Sequence, residues 1–195
     1  MTRDDQANAA YGWWKSLGPS KDEQGRTLPG NRAALARLRR CSTVLDVIAE
    51  PATGKLVRAL GINWRSEDGP PGELERAAAL AGVLAHVRES DRRKIATAIG
   101  APPGGDAKEA LLKPTRFRTL MAARTGDELL IGFRRAVAIL DRKANIRDLS
   151  KVIFGWSDDE AGDRVRTRFA FDFYGASDYA PQTSTDTIAT PSEKV

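Results

Sequence analysis

Histidine, cysteine and long apolar runs are what this 195-residue chain has least of, with one histidine and one cysteine in all. Cys41 cannot close an internal disulfide, so a secreted disulfide scaffold is excluded. His86 and Cys41 together supply too few ligands for a zinc site. They are also the only nucleophile–base pair available, and no second histidine stands ready to orient it. Both are read as packing residues. No apolar stretch approaches the roughly 18 residues of a membrane span. The start, MTRDDQANAAYGWW, has no basic region followed by an apolar core, so no signal peptide is expected and the expected location is the cytoplasm. GxGxxG and GxxxxGK[ST] patterns are absent, and the PPGG run at 102–105 follows a predicted helix, not a strand. Asp158, Asp159 and Glu160 lie at a helix start, where the macrodipole favours acids; they do not form a nuclease-like carboxylate pair. The expectation is a protein without catalysis, metal or cofactor.

What is present is helical. Apolar residues make up 41% of the chain, too many for wholesale disorder. Apolar periodicity predicts helices over 5–17, 31–40 and 42–50, the last capped by Ser42 and ended by Pro51. Another runs over about 53–61. Leu74, Ala77, Ala78, Ala81, Leu84 and Ala85 form the stripe of a helix over 73–89, and Asp91 caps a further one to Ile99. Asp106 and Pro114 open the next two. A long helix starts at Gly126 or Asp127, another at Asn145, and a last one spans about 158–174. FAFDFY has period-2 aromatics but continues the helical pattern from Val165, so it is assigned to that helix. The predicted fold is all-α, a two-lobed bundle of about eight to ten helices with no sheet. The breaker cluster SEDGPPG (66–72) separates a lobe over 1–65 from one over 73–175, and the Ser/Thr-rich stretch 176–195 is expected to be disordered. Trp13, Trp14, Trp64 and Trp156 are expected in the core, apart from one of the adjacent pair.

The net charge is +5, and it is regional. Residues 26–58 hold seven basic side chains against Asp46 and Glu50. The stretch 113–143 carries Arg116, Arg118, Arg124, Arg134, Arg135, Arg142 and Lys143 against only Asp127, Glu128 and Asp141. On a helical wheel, Arg135 and Arg142 fall opposite the face of Leu130, Phe133 and Val137, and Arg134 falls on its rim. Arg118 points away from Phe117, Leu120 and Met121, while Arg116 and Arg124 border them. Arginine in place of a lysine–glutamate mixture suits multidentate contact with phosphates. The competing reading is a set of solvated faces and internal ion pairs.

Several pieces, in order, resemble the small subunit of the type I-E CRISPR surveillance complex Cascade, the CasB family. They are YGWWKSL (11–17), RAALARLRR (32–40), RFRTLMAARTGDELLIGFRRAVAIL (116–140) and NIRDLSKVIFGW with RVRTRFAFDFYG (145–175). The resemblance implies an all-helical, non-catalytic subunit of an antiviral complex. The implied partners are the large subunit, the crRNA-bearing backbone subunits, a second copy of the chain and the backbone of single-stranded DNA or RNA. The implied task is to hold the displaced non-target strand of an R-loop without reading sequence. Carried over by position, the nucleic-acid-binding candidates are Arg39 and Arg40, then Arg116, Arg118 and Arg124, then Arg134 and Arg135. Arg142 and Lys143 join them by the helical-wheel argument alone. The rival readings are a helical DNA-binding regulator using 143–156, and an interaction protein whose arginines meet acidic partner surfaces.

Overall fold

A computed structural model of the chain describes residues 1–21, 24–63, 72–102 and 105–175. Trp64, most of the 66–72 breaker cluster, two residues of the 102–105 loop and the 176–195 stretch lie outside the described residues.

The described residues form ten α-helices: α1 Arg3–Leu17, α2 Arg32–Arg40, α3 Val44–Ala49, α4 Pro51–Ala59, α5 Glu73–Leu84, α6 Ile95–Ile99, α7 Pro114–Met121, α8 Gly126–Ile139, α9 Ile146–Phe154 and α10 Glu160–Phe173. A 3-10 turn covers Ala107–Glu109. The all-α expectation holds, with a small addition. Two bridges of two-residue strands exist, β1 Ser20–Lys21 antiparallel to β2 Thr27–Leu28, and β3 Glu89–Ser90 parallel to β4 Lys143–Ala144.

Local chemistry sets the helix starts. Thr2, Thr43 and Thr125 each form a capping box with an acid three residues on, so two orphan N–H groups are satisfied at each start. Ser42 is not the cap of α3; its N–H donates to Asp46. Pro51 does not simply end α3. It occupies the first turn of α4, where its missing N–H costs nothing. FAFDFY is helical within α10. The helix predicted over 73–89 stops at Leu84, because the chain leaves it to pair with β4.

α5 is the centre of the molecule. Ala77 through Ala85 are buried on every side, the pattern of a helix enclosed by others and not of an amphipathic surface helix. It packs against α3 and α4 from before it in the chain and α8 and α9 from after it, while α1 lies along α9. One buried cluster runs from Ala10 to Phe173. Phe133 and Phe173 are fully buried, each contributing about 1.5–3 kcal/mol of transfer energy. Phe117 stacks on Phe173 at 3.7 Å between centroids, and Phe133, Trp156 and Phe169 pack edge to face. The Trp13 and Trp156 indoles are buried and donate to Ala52 O and Ala123 O; Trp14, half-buried, donates to Val87 O.

Candidate nucleic-acid interface

The nine basic residues singled out by sequence do not share one fate. Arg134 leaves α8 towards the C-terminal ends of two other helices. Its Nε donates to Gly82 O at 3.1 Å, Nη1 to Cys41 O at 2.6 Å and Nη2 to Leu38 O at 3.0 Å. Those carbonyls lie at the last turns of α2 and α5, where helix geometry supplies no N–H donor. A guanidinium there also meets the negative ends of both helix dipoles. Arg134 is a helix clamp, half-buried and fully engaged. Arg124 plays a similar part on α7, donating from Nη1 to Met121 O and Ala123 O, and it pairs with Asp158 at 3.4 Å. Arg40 bonds Ala36 O of its own helix. Lys143 pairs with Glu89 at 2.8 Å, both exposed.

Arg116, Arg118 and Arg135 are exposed, and their side chains have no hydrogen bond or ion pair among the described residues. Arg116 and Arg135 line one shallow groove of about 380 Å³ together with the exposed Ile131. Arg142 lies beyond the helical wheel. α8 ends at Ile139, and Asp141 and Arg142 turn the chain with left-handed φ of 51° and 63°. Such a conformation is costly for residues with a Cβ and gathers at functional sites. Here it brings Arg142 beside the end of α5, where Arg142 O accepts from Arg88 N at 2.8 Å.

That turn creates a cationic focus. Arg39 donates from Nε to Ala85 O at 2.7 Å, leaving its outer nitrogens without a partner among the described residues. Burial, then the charges of Arg142 and Arg88, push the Arg39 guanidinium below its ordinary value. The His86 imidazole is pushed down to about 4 by burial, then by Arg134, Arg39 and Arg142. Its Nε2 is buried without a hydrogen-bond partner among the described residues. Arg142 and Arg88, held together by the backbone bond between them, thus bring positive charge to bear on Arg39, on which no carboxylate acts, while Glu89 is taken up by Lys143. Arg88 was not found by sequence reasoning; it reaches Arg142 only through the β3–β4 bridge, which no local pattern signals. Arg124, at the other end of the roughly 21 Å long α8, stands apart from this cluster.

The other chemical candidates take the roles expected of packing residues. Cys41 is buried, its Sγ bonds Arg37 O at 3.3 Å, and burial, then Glu50 and Asp46, push its thiol up, away from thiolate. No cluster of His, Cys, Asp and Glu that would hold a metal ion exists among the described residues. Among them, no helix is long and apolar enough to cross a membrane.

With this geometry in place, the comparison with protein families is decisive. The family model described as CRISPR-associated protein Cse2 matches residues 34–174. The chain belongs to the Cse2 family. The Cse2 family is the CasB family of the sequence resemblance, so the chain is a small subunit of a type I-E Cascade, a CRISPR antiviral complex. The matched span takes in α2, α5, α8 and the whole Arg39–Arg88–Arg142 cluster. No curated protein and no solved structure matches the chain significantly.

Proposed function

We propose that this Cse2-family subunit holds the displaced non-target DNA strand of an R-loop through its phosphates, with Arg39, Arg88 and Arg142 as the principal contact and no catalytic step. The observation that carries the reading is that the backbone bond from Arg88 N to Arg142 O and the bond from Arg39 Nε to Ala85 O tie all three arginines to the chain just beyond α5, where no acid acts on the Arg39 guanidinium. Bringing like charges together costs free energy in the isolated subunit, and an oxyanion placed between them recovers it. Arg116, Arg118 and Arg135 are free to add further phosphate contacts, and Arg40 presents its charge at the surface. Arg124 and Lys143 have carboxylate partners, and Arg134 is committed to helix ends, so these three contribute little.

Phosphate contacts position a strand without reading it, so binding is sequence-independent. Exchanging a DNA duplex for an RNA–DNA hybrid is nearly balanced, and backbone contacts to the expelled strand tip it towards the open loop. A second copy and the crRNA-bearing subunits place several such patches along one strand, and effective concentration raises a weak contact to a useful one.

The test is fluorescence anisotropy of the purified full chain with labelled oligo-dT over a range of salt. Arg88→Gln with Arg142→Gln removes two phosphate contacts, so the slope of log affinity on log salt is expected to become shallower by about 1.4. An unchanged slope and affinity, in a variant that melts like the parent, would remove this cluster from the interface.

A further inference from the structure

The β3–β4 bridge that brings Arg88 to Arg142 has a second end. Asp91 N donates to Ala144 O at 3.1 Å, and Asn145 Nδ2 to Arg92 O at 2.9 Å. From Arg88 the chain passes through β3 and bends at Arg92, where the Asp91 carboxylate accepts from Arg92 N. There a groove of about 500 Å³ opens, lined by Tyr11, Arg92, Asn145, Arg147 and Lys151. It shares Asp148 and Lys151 with a second groove of about 470 Å³ whose walls include Arg3, Lys94, Arg164 and Arg168.

The charges in these walls are unequal in availability. The acids are already committed. Asp91 takes both Arg93 Nε and Nη2 at 3.0 Å, Asp172 takes Lys94 Nζ at 3.0 Å, and Asp148 accepts Ile95 N at 2.7 Å. Burial also raises the Asp148 carboxyl above its ordinary value. Two of the cations, Lys151 and Arg164, pair with the exposed acids Asp4 and Glu160. Arg92 and Arg168 are exposed and have no side-chain partner among the described residues. Arg147 has no acid either: its Nε donates to Asn8 Oδ1 at 2.8 Å and its guanidinium sits 4.1 Å above the Tyr11 ring. That ring holds the guanidinium in place, so less side-chain freedom is lost when a ligand arrives.

We propose that the paired grooves along α1, α9 and α10 continue the cationic path from Arg142 and hold a further stretch of the same single strand, with Arg92, Arg147 and Arg168 as its phosphate contacts. The inference rests on the single-strand reading above and extends it to residues outside the Arg39 cluster. A phosphodiester chain fits better than an acidic protein face for two reasons. The cations follow one another along a channel, and those left unpaired are all arginines, which grip phosphate oxygens through two parallel N–H groups.

The experiment compares two full-chain variants on the same long labelled oligo-dT. Arg92→Gln with Arg168→Gln alters side chains that bond nothing in the fold, so it leaves the melting temperature unchanged. It is expected to weaken binding about tenfold at low salt and to make the salt slope shallower by about 1.4. If that variant binds like the parent while Arg88→Gln with Arg142→Gln binds more weakly, the extension is overturned and the single-strand reading survives. If neither variant loses affinity, both fall. If only the groove variant loses affinity, the path from Arg142 is overturned.

Discussion

At the scale of residues, arginines that look alike in sequence divide by what their nitrogens touch. A wheel places Arg134 on the rim of an apolar stripe and Arg135 opposite it, and neither position signals that Arg134 is structural. Its partners are Leu38, Cys41 and Gly82, far away in the chain, so nothing local announces them. Arg134→Ala leaves three carbonyls unsatisfied at two helix ends. It should destabilise the fold by about 2–4 kcal/mol, seen as a lower urea midpoint, whereas Arg135→Ala should shift it by less than about 0.5 kcal/mol. His86 offers a second residue-scale outcome. Its ordinary value of 6.5 falls to about 4 in the fold. Between those values the unfolded chain takes up a proton that the folded chain refuses, so stability falls as pH drops from 6.5 towards 4. Urea unfolding at pH 7 and pH 5 should show this fall in the parent and a smaller one in His86→Gln.

At the scale of elements, the helices were legible and their ends less so. Capping acids and prolines mark starts through bonds to neighbours within four residues, so α1, α8 and α9 begin within a residue or two of where sequence places them. The end of α5 was missed because it is decided by pairing with β4, more than fifty residues on. The wheel failed for Arg142 for a related reason: α8 stops first, and two left-handed residues redirect the chain. The crossing of α5 and α8 gives the element-scale prediction. A Cβ on Gly82 would lie 2.5 Å from Leu130 Cδ1, 3.1 Å from Arg134 Nη2 and 3.2 Å from Val47 Cγ2. Alanine favours a helix interior by about 1 kcal/mol over glycine, but overpacking here costs more. Gly82→Ala should be net destabilising by about 1–3 kcal/mol, measured by thermal or urea unfolding.

At the scale of the whole molecule, the arginine richness of 113–143 pointed to a polyanion partner, and the family match supplies the antiviral complex in which that partner would be met. The residues best placed to meet it are only partly those the sequence named. Arg39 and Arg142 were among them; Arg88, Arg92, Arg147 and Arg168 were not, because tertiary pairing and groove walls assemble them from separate helices. Two kinds of arginine thus differ: some tie helix ends together, and the unpaired ones are those proposed to meet phosphates.

The most direct measurement is R-loop lifetime in a reconstituted complex carrying the Arg88→Gln, Arg142→Gln subunit, after confirming that the variant assembles with its partners. If the cluster holds the displaced strand, the loop collapses several times faster than with the parent subunit, and the difference shrinks as salt rises. An equal lifetime at low salt, with the variant fully incorporated, contradicts the account.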